Sequence, residues 1–405
     1  MSSMTTTFRA PTLPWRCRPL VSMLERIALG TLELTTPEGL VLRFGTGDEP
    51  SADLRLESWG ALRKIMRSGV IGLAECYRDG EISCSNLTRL LRMGICNQEI
   101  MDSVVRGKPL LRLLFRARHL LRSNTRKGSK RNIQAHYDLG NDFYRLWLDP
   151  SMTYSSACFA NGYGGDLQQA QTEKYRRILE LTGARPGQSV LEIGCGWGGF
   201  AEFAASKGIS VHGITLSREQ LRYAKERIDR AGLSHRASFE LRDYRDMNES
   251  FDHIVSIEML EAVGESYWNT YFNQLRNLLK PGGNAVIQVI TIDDDRFESY
   301  RKHSDFIQQY IFPGGMLPPQ SKLLELTQSG GLNFESLDSF GKDYAETLRR
   351  WSRRFEQRLN DVRAQGFDNA FIQLWRFYLA YCEAGFDENR IDVVHLRVSR
   401  ERGIE

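Results

Sequence analysis

From about residue 133 onward the hydrophobic positions fall into short blocks separated by longer stretches of helical period. The blocks 189–193, 210–214, 237–241, 253–257 and 284–292 read as strands. The intervening "REQLRYAKERIDRAG" and "YWNTYFNQLRNLLKPGG" read as amphipathic helices. Strands alternating with helices at this interval predict an α/β domain built on a doubly wound parallel sheet. Two later β-like runs, 332–340 and 392–398, are expected to close its far edge. The N-terminal part is patterned differently. Strand-like "LELTTPEGLVLRF" is followed by helical "SWGALRKIMRSG" and "NLTRLLRMG", with "YRDGEISCSN" as a turn, which predicts a smaller α+β module.

Charge divides the chain along the same line. Residues 1–132 hold 22 Lys/Arg against 12 Asp/Glu, whereas the remainder holds 32 against 38, although the net charge is only +4. The stretch "RGKPLLRLLFRARHLLRSNTRKGSKRN" has ten basic residues and no acid. Within it Leu110, Leu113, Leu114, Ala117, Leu120 and Leu121 recur at helical spacing among Arg112, Arg116, Arg118 and Arg122. Leucines interleaved with arginines suit an anionic lipid surface better than the stacked bases of nucleic acid. The expected division is a loose tail over 1–20, an N-terminal domain with this basic helix over 21–122, a linker over 123–132 and the α/β domain over 133–405.

No apolar run reaches the roughly 18–20 residues of a membrane span, and the N-terminus lacks a signal-peptide core. Seven cysteines without a CxxC pair, and seven histidines without ligand spacing, predict a reducing compartment and no metal. These features point to a cytoplasmic protein that meets the inner face of the membrane peripherally.

Candidate chemistry begins at "SVLEIGCGWGGFAEFAASKG". A strand that stops in a Gly-x-Gly-x-Gly turn and continues as a helix turns backbone N–H groups toward a nucleotide-like ligand. Nicotinamide dinucleotides prefer Gly-x-Gly-x-x-Gly with an acid about 20 residues later. Here the glycines are Gly194, Gly196 and Gly198, and "GITLSREQ" offers no acid before Glu219. The third strand ends in "RDYRD", where Asp243 can accept from an adenine amino group and Tyr244 can pack on the ring. An adenosine ligand without a pyrophosphate fits better, which points to S-adenosylmethionine.

The segments "AHYDLGNDFYRLWLDPSMTYSSACF", "VLEIGCGWGG", "GITLSREQ", "DYRD", "VSIEMLEAVG", "YIFPGGMLP", "FGKDYAETLRRW" and "FYLAYCEAGF" occur in this order over 133–386. In them the chain resembles the cyclopropane-fatty-acyl-phospholipid synthases and their mycolic-acid relatives. The resemblance implies a class I S-adenosylmethionine methyltransferase fold, Rossmann-like with a seven-stranded sheet, beside a smaller lipid-associated α+β domain. It implies transfer of the one-carbon unit to a cis double bond of unsaturated phospholipid acyl chains, giving a cyclopropane ring. An enzyme leaving a methyl-branched or unsaturated methylated chain, and a lipid-binding homologue without catalysis, are the alternatives. A homodimer is compatible with either.

Residue by residue, the resemblance puts Tyr154, Ser155, Gly194, Cys195, Gly196, Gly198, Thr215, Gln220, Asp243 and Tyr244 around the cofactor. It implies a bound bicarbonate as general base, held by Ser156, Glu261, Gln288, the backbone of Ile290, and Tyr344. Ser156 stands where the best-known members have cysteine, Gln288 where they have histidine, and Ala262 replaces a frequent histidine. A hydroxyl and an amide both donate to an oxyanion. On this reading Glu261→Gln cuts turnover severely. Cys382 matches a cysteine proposed as catalytic in the family, but its apolar neighbours predict packing. His136 is expected to be structural, and the aromatic stretch before "FPGG" to wall the acyl pocket.

Overall fold

The computed structural model describes residues 21–22, 24–47, 49–98, 128, 139–302 and 304–402. The tail over 1–20, the basic helix with its arginines, the linker apart from Gly128, and His136 lie outside the described residues. The rest divides into two units, the first joining the N-terminal residues to Asn369–Ala384 and the second holding the remainder.

In the first unit the strand-like stretch forms β1 (Thr31–Thr35) and β2 (Val41–Gly45), paired as a hairpin. Then β3 (Ser51–Leu56) runs parallel to β1, and short β4 (Ile82–Ser83) closes the order β2-β1-β3-β4. Helix α1 (Trp59–Arg78) is capped by Ser58 and kinks at Gly69, whose φ of 58° interrupts it. Helix α2 (Leu87–Cys96) is capped by Asn86, which accepts from Arg89 N–H at 2.9 Å. Leu32, Leu34, Leu54, Leu56, Leu62 and Leu90 lie in its core.

The second unit opens with α3 (Asn141–Trp147) and α4 (Leu167–Thr182). Then β5 (Ser189–Ile193), α5 (Gly199–Ser206), β6 (Ser210–Thr215), α6 (Arg218–Arg230) and β7 (Ala237–Leu241) follow. The chain returns across β5 as β8 (Phe251–Ile257), α7 (Trp268–Leu278) and β9 (Leu279–Ile292). After α8 (Asp294–Lys302) and a π-helical turn over Ile307–Ile311 come α9 (Gln320–Ser329) and β10 (Asn333–Ser339). Helices α10 (Gly341–Gln357) and α11 (Leu359–Ala364) follow; α12 (Asn369–Asp387), most of which groups with the first unit, comes before β11 (Ile391–Ser399) in the chain.

The sheet order is β10-β11-β9-β8-β5-β6-β7. The core pairs β9-β8-β5-β6-β7 are parallel as expected, but β11 is antiparallel to both β9 and β10, so the sheet is mixed. The reversal is read from the register, in which Ile391 lies opposite Ile292 and Ser399 opposite Asn284. The Pro-Gly-Gly expected at a helix end lies inside β9, which begins at Leu279.

Both faces of the sheet are covered, so its strands read as apolar runs. Leu191, Ile193, Ile254, Ala285, Ile287 and Val289 fill one side; Val190, Val255 and Val286 fill the other with Ile178 of α4. Connections leave β5 in one direction toward β6 and return on its other side to β8. That reversal opens a ligand crevice at the C-terminal ends of β5 and β8.

Candidate active site

The glycine turn sits at the end of β5. Gly194 and Cys195 N–H both donate to Ile214 C=O at 3.0 Å, tying the turn to β6. Gly194, Gly196 and Gly198 have φ of 82°, 51° and 80°, values an L side chain adopts only with strain. A Cβ at Gly194 or Gly198 would press on Met259 or Ala224, whereas at Gly196 it would meet nothing within 4 Å. Gly196 is therefore where backbone faces open space, as a closely approaching ligand requires. The buried Cys195 side chain offers no reactive thiolate, since burial pushes its pKa well up.

The neighbouring strand ends supply polar groups. Thr215 Oγ donates to Gln220 Oε1 at 2.9 Å and accepts from Ser217 N–H at 3.1 Å; all three residues are buried. Asp243 is paired with Arg245, whose backbone N–H (3.0 Å) and Nε (2.9 Å) reach Oδ1 and whose guanidinium reaches Oδ2 at 2.6 Å. Three of about four carboxylate lone-pair positions are thus filled, leaving one on Oδ2 for a ligand amino group. Tyr244 departs from expectation. Its ring packs edge-on against Tyr271 and under the Arg245 guanidinium, because the tight turn at Tyr244–Asp246 folds it into the core. It is a core ring rather than an open stacking surface.

Before the glycine turn, Ser155 Oγ accepts from Lys174 Nζ at 2.6 Å, and its carbonyl accepts from Gln171 Nε2 at 2.9 Å. Tyr154 lies among Tyr144, Trp147 and Trp351, with ring centroids 5.3–5.4 Å away. The cofactor-side residues thus combine a backbone cradle, one open carboxylate position and an aromatic wall, a donor set that suits an adenosine with a cationic sulfonium.

Beyond β8 the chain makes a turn that the sequence pattern did not reveal. Glu258 adopts φ of 50°, a left-handed conformation that costs a non-glycine residue roughly 1–2 kcal/mol. Its Oε1 accepts from Ser156 N–H and from Gln288 Nε2, each at 2.8 Å, and its Oε2 accepts from Tyr344 Oη at 2.6 Å. Its own N–H donates to Gln288 C=O at 2.8 Å. Glu261 Oε1 accepts from Ile290 N–H at 2.6 Å, while its buried Oε2 has no partner. The structure thus gathers Ser156, Glu261, Gln288, Ile290 and Tyr344, but around a carboxylate of the chain. Ser156 Oγ turns away to donate to Ala157 C=O at 3.0 Å. The donors expected to hold bicarbonate are therefore already engaged, and the set does not fit a further anion.

Electrostatics distinguish the two glutamates. Burial, then the charge of Glu258, pushes the Glu261 carboxyl up to about 8. Burial also raises Glu258, but Tyr344, the Ser156 N–H, Lys174 and Gln288 all pull it back toward the ionised form. Lys174 is fully buried, with its pKa lowered to about 8 by that burial. Behind Gln288 stands its register partner on β11, His395, with Nε2 2.9 Å from Gln288 Oε1. An amide oxygen only accepts, so His395 donates from Nε2; burial lowers its pKa to about 3 and keeps the ring neutral.

Glu258, Lys174 and His395 were missed from sequence. Lys174 shares the buried face of α4 with Ala170 and Ile178, and a lysine at a core-facing position was the available signal. Glu258 was visible as an acid directly after a strand. Cys382 lies half-buried on α12, among the residues that group with the first unit. Among the described residues no group of three or more His, Cys, Asp or Glu could hold a metal.

Residues 124–396 match the family model described as mycolic acid cyclopropane synthetase. The chain is 39% identical over 367 residues to the tuberculostearic acid methyltransferase UfaA1 of Mycobacterium tuberculosis, covering 88% of this chain and 85% of that one. It is 34% identical over 384 residues to the cyclopropane-fatty-acyl-phospholipid synthase of Escherichia coli, covering 92% and 93%. The crystal structure of the mycolic acid cyclopropane synthase CmaA1 with SAH and CTAB superposes with a TM-score of 0.64 at 30% identity, over 67% of this chain and 98% of that one.

Proposed function

The chain belongs to the mycolic acid cyclopropane synthetase family of S-adenosylmethionine-dependent methyltransferases, and from that premise we propose that it methylates a cis double bond of unsaturated phospholipid acyl chains. The observation that supports this most is the pairing of β5 with β8. It joins the strand that ends in the glycine turn to the strand that ends just before Glu258, which supports reading the one as the methyl-donor seat and the other as the proton acceptor.

When bound, S-adenosylmethionine supplies an electrophilic methyl group. Gly194, Cys195, Gly196 and Gly198 hold it through backbone, with Thr215, Gln220 and Asp243 at the strand ends and Tyr154 and Ser155 opposite. The aromatic wall of Tyr144, Trp147, Tyr154 and Trp351 excludes water from a carbocation that would otherwise be quenched. The carboxylate cluster receives the proton that this cation must lose.

The sequence reading favours closure to a cyclopropane. An open methylated chain is the second reading, favoured by the identity to a tuberculostearic acid methyltransferase and by the departures at Ser156, Ala262 and Gln288. In both readings the basic stretch around Arg112–Arg122 brings the enzyme to the inner, anionic face of the membrane. The test is incubation of purified protein with methyl-labelled S-adenosylmethionine and monounsaturated phospholipid vesicles, followed by ozonolysis of the product. A ring resists ozone and a methylene group on an open chain is cleaved. Vesicle binding with no label in lipid would overturn both readings and leave a lipid-binding homologue.

A further inference from the structure

Bicarbonate and a glutamate side chain present the same two-oxygen face to hydrogen-bond donors. In this chain Gln288 and Tyr344, two of the donors assigned to the ion, are spent on Glu258 together with the backbone of Ser156, whose hydroxyl turns to Ala157 C=O. The N–H of Ser156 and the amide of Gln288 meet its Oε1 at 2.8 Å, and the Tyr344 hydroxyl meets its Oε2 at 2.6 Å. A backbone N–H and a phenol have one hydrogen each, so neither can serve a second anion. The remaining backbone donor, Ile290 N–H, is engaged by Glu261. His395 fixes the Gln288 amide so that its NH2 end faces Glu258. The left-handed backbone at Glu258 (φ 50°) is the device that swings this side chain into the cluster.

We infer that Glu258 is the catalytic base of this enzyme, a built-in carboxylate standing where the resemblance places bicarbonate. The inference rests on the proposed methyl transfer to an alkene. One alkene carbon gains the methyl, the electrons of the broken S–C bond stay on sulfur, and the other carbon is left cationic. A C–H bond of the new methyl then breaks. Its electron pair closes the ring or, after a 1,2-hydride shift has moved the cation to the methyl-bearing carbon, forms a methylene double bond on the open chain. In both cases the proton passes to Glu258 Oε2, which keeps one lone pair free of Tyr344, and is then released to water.

The test pairs turnover with ion binding. Glu258→Gly removes the carboxylate at a position whose φ glycine adopts freely, and Glu258→Gln fills the same space without basicity. Wild-type turnover is expected to be unchanged in bicarbonate-free buffer. Both variants should lose about 100-fold or more, with S-adenosylhomocysteine affinity by calorimetry unchanged as the control for folding. Added bicarbonate should restore at least about tenfold to Glu258→Gly and nothing to Glu258→Gln. Titration with 13C-bicarbonate followed by NMR should show saturable binding to Glu258→Gly only.

Wild-type turnover that collapses without bicarbonate, saturable ion binding by the wild type, or full turnover in either variant would overturn the assignment. If wild type transfers no label to lipid, the proposed function fails, and the ion titration still decides whether Glu258 occupies the seat.

Discussion

Glu258 and Glu261 stand three residues apart, yet their surroundings give them different work. Glu258 collects three donors, whereas Glu261 collects one backbone N–H and leaves Oε2 unpartnered. The ion-ligand reading expects severe loss for Glu261→Gln; the geometry transfers that expectation to Glu258, and turnover of Glu261→Gln should stay within about tenfold of wild type. Glu261 also leaves a mark on stability. Its folded carboxyl is raised from the ordinary 4.5 to about 8, so the folded chain holds this proton more tightly than the unfolded chain. That stabilisation is complete below pH 4.5 and is lost as pH rises through about 8. Thermal melts should therefore show Glu261→Gln gaining on wild type between pH 5 and 8, a trend whose absence would refute the buried, protonated state. Lys174, lowered to about 8, acts in the opposite sense only above that pH.

Two elements hold the site in shape, the glycine turn after β5 and the β9–β11 strand pair. In the turn, alanine at Gly198 would meet Ala224 Cβ at 3.1 Å and Phe239 Cζ at 3.3 Å with φ at 80°, costing about 2 kcal/mol of stability. Alanine at Gly196 pays only the φ penalty, because its Cβ enters open space. It should instead weaken S-adenosylhomocysteine binding by about tenfold, since the methyl takes ligand volume. Denaturant unfolding and calorimetry on the two variants separate these effects. In the strand pair, His395→Phe removes the donor that orients Gln288. Its kcat should fall about tenfold with KM for the methyl donor unchanged. The pH profile should keep its shape, because His395 is neutral at any working pH.

At the scale of the whole molecule, the proposed meeting with lipid rests on the basic stretch before the α/β unit. Replacing Arg112, Arg116, Arg118 and Arg122 with glutamine should weaken binding to anionic vesicles more than tenfold at low salt, at about 1 kcal/mol per charge. The difference should shrink at high salt as screening shortens the range, and cosedimentation at two salt concentrations reads it directly. Unchanged partition would remove the membrane role from this stretch. Turnover of a water-soluble unsaturated acyl substrate should be spared by the same replacements, because the four arginines lie outside the residues assigned to cofactor and base.

Local order determines much of what was legible. The five parallel strands and β11, which lies inside the sheet, could be read from blocks of apolar residues, since strands packed on both faces keep few polar positions; β10, at the edge, could be read only as a weaker β-like run. The glycine turn could be read because positive φ and close approach restrict residue choice at successive positions. The family motifs brought Ser156, Glu261, Gln288, Ile290 and Tyr344 together on paper, and the fold brings them together in space. Only the tertiary structure decided what they surround. Hydrogen-bond partners 30, 86 and 102 residues apart meet at one carboxylate, and the backbone angle that aims Glu258 leaves no trace in a glutamate codon. The reversed β11, the core-facing Tyr244 and the buried Lys174 are of the same kind. Each is settled by which surfaces exclude water together, and that depends on contacts far apart along the chain.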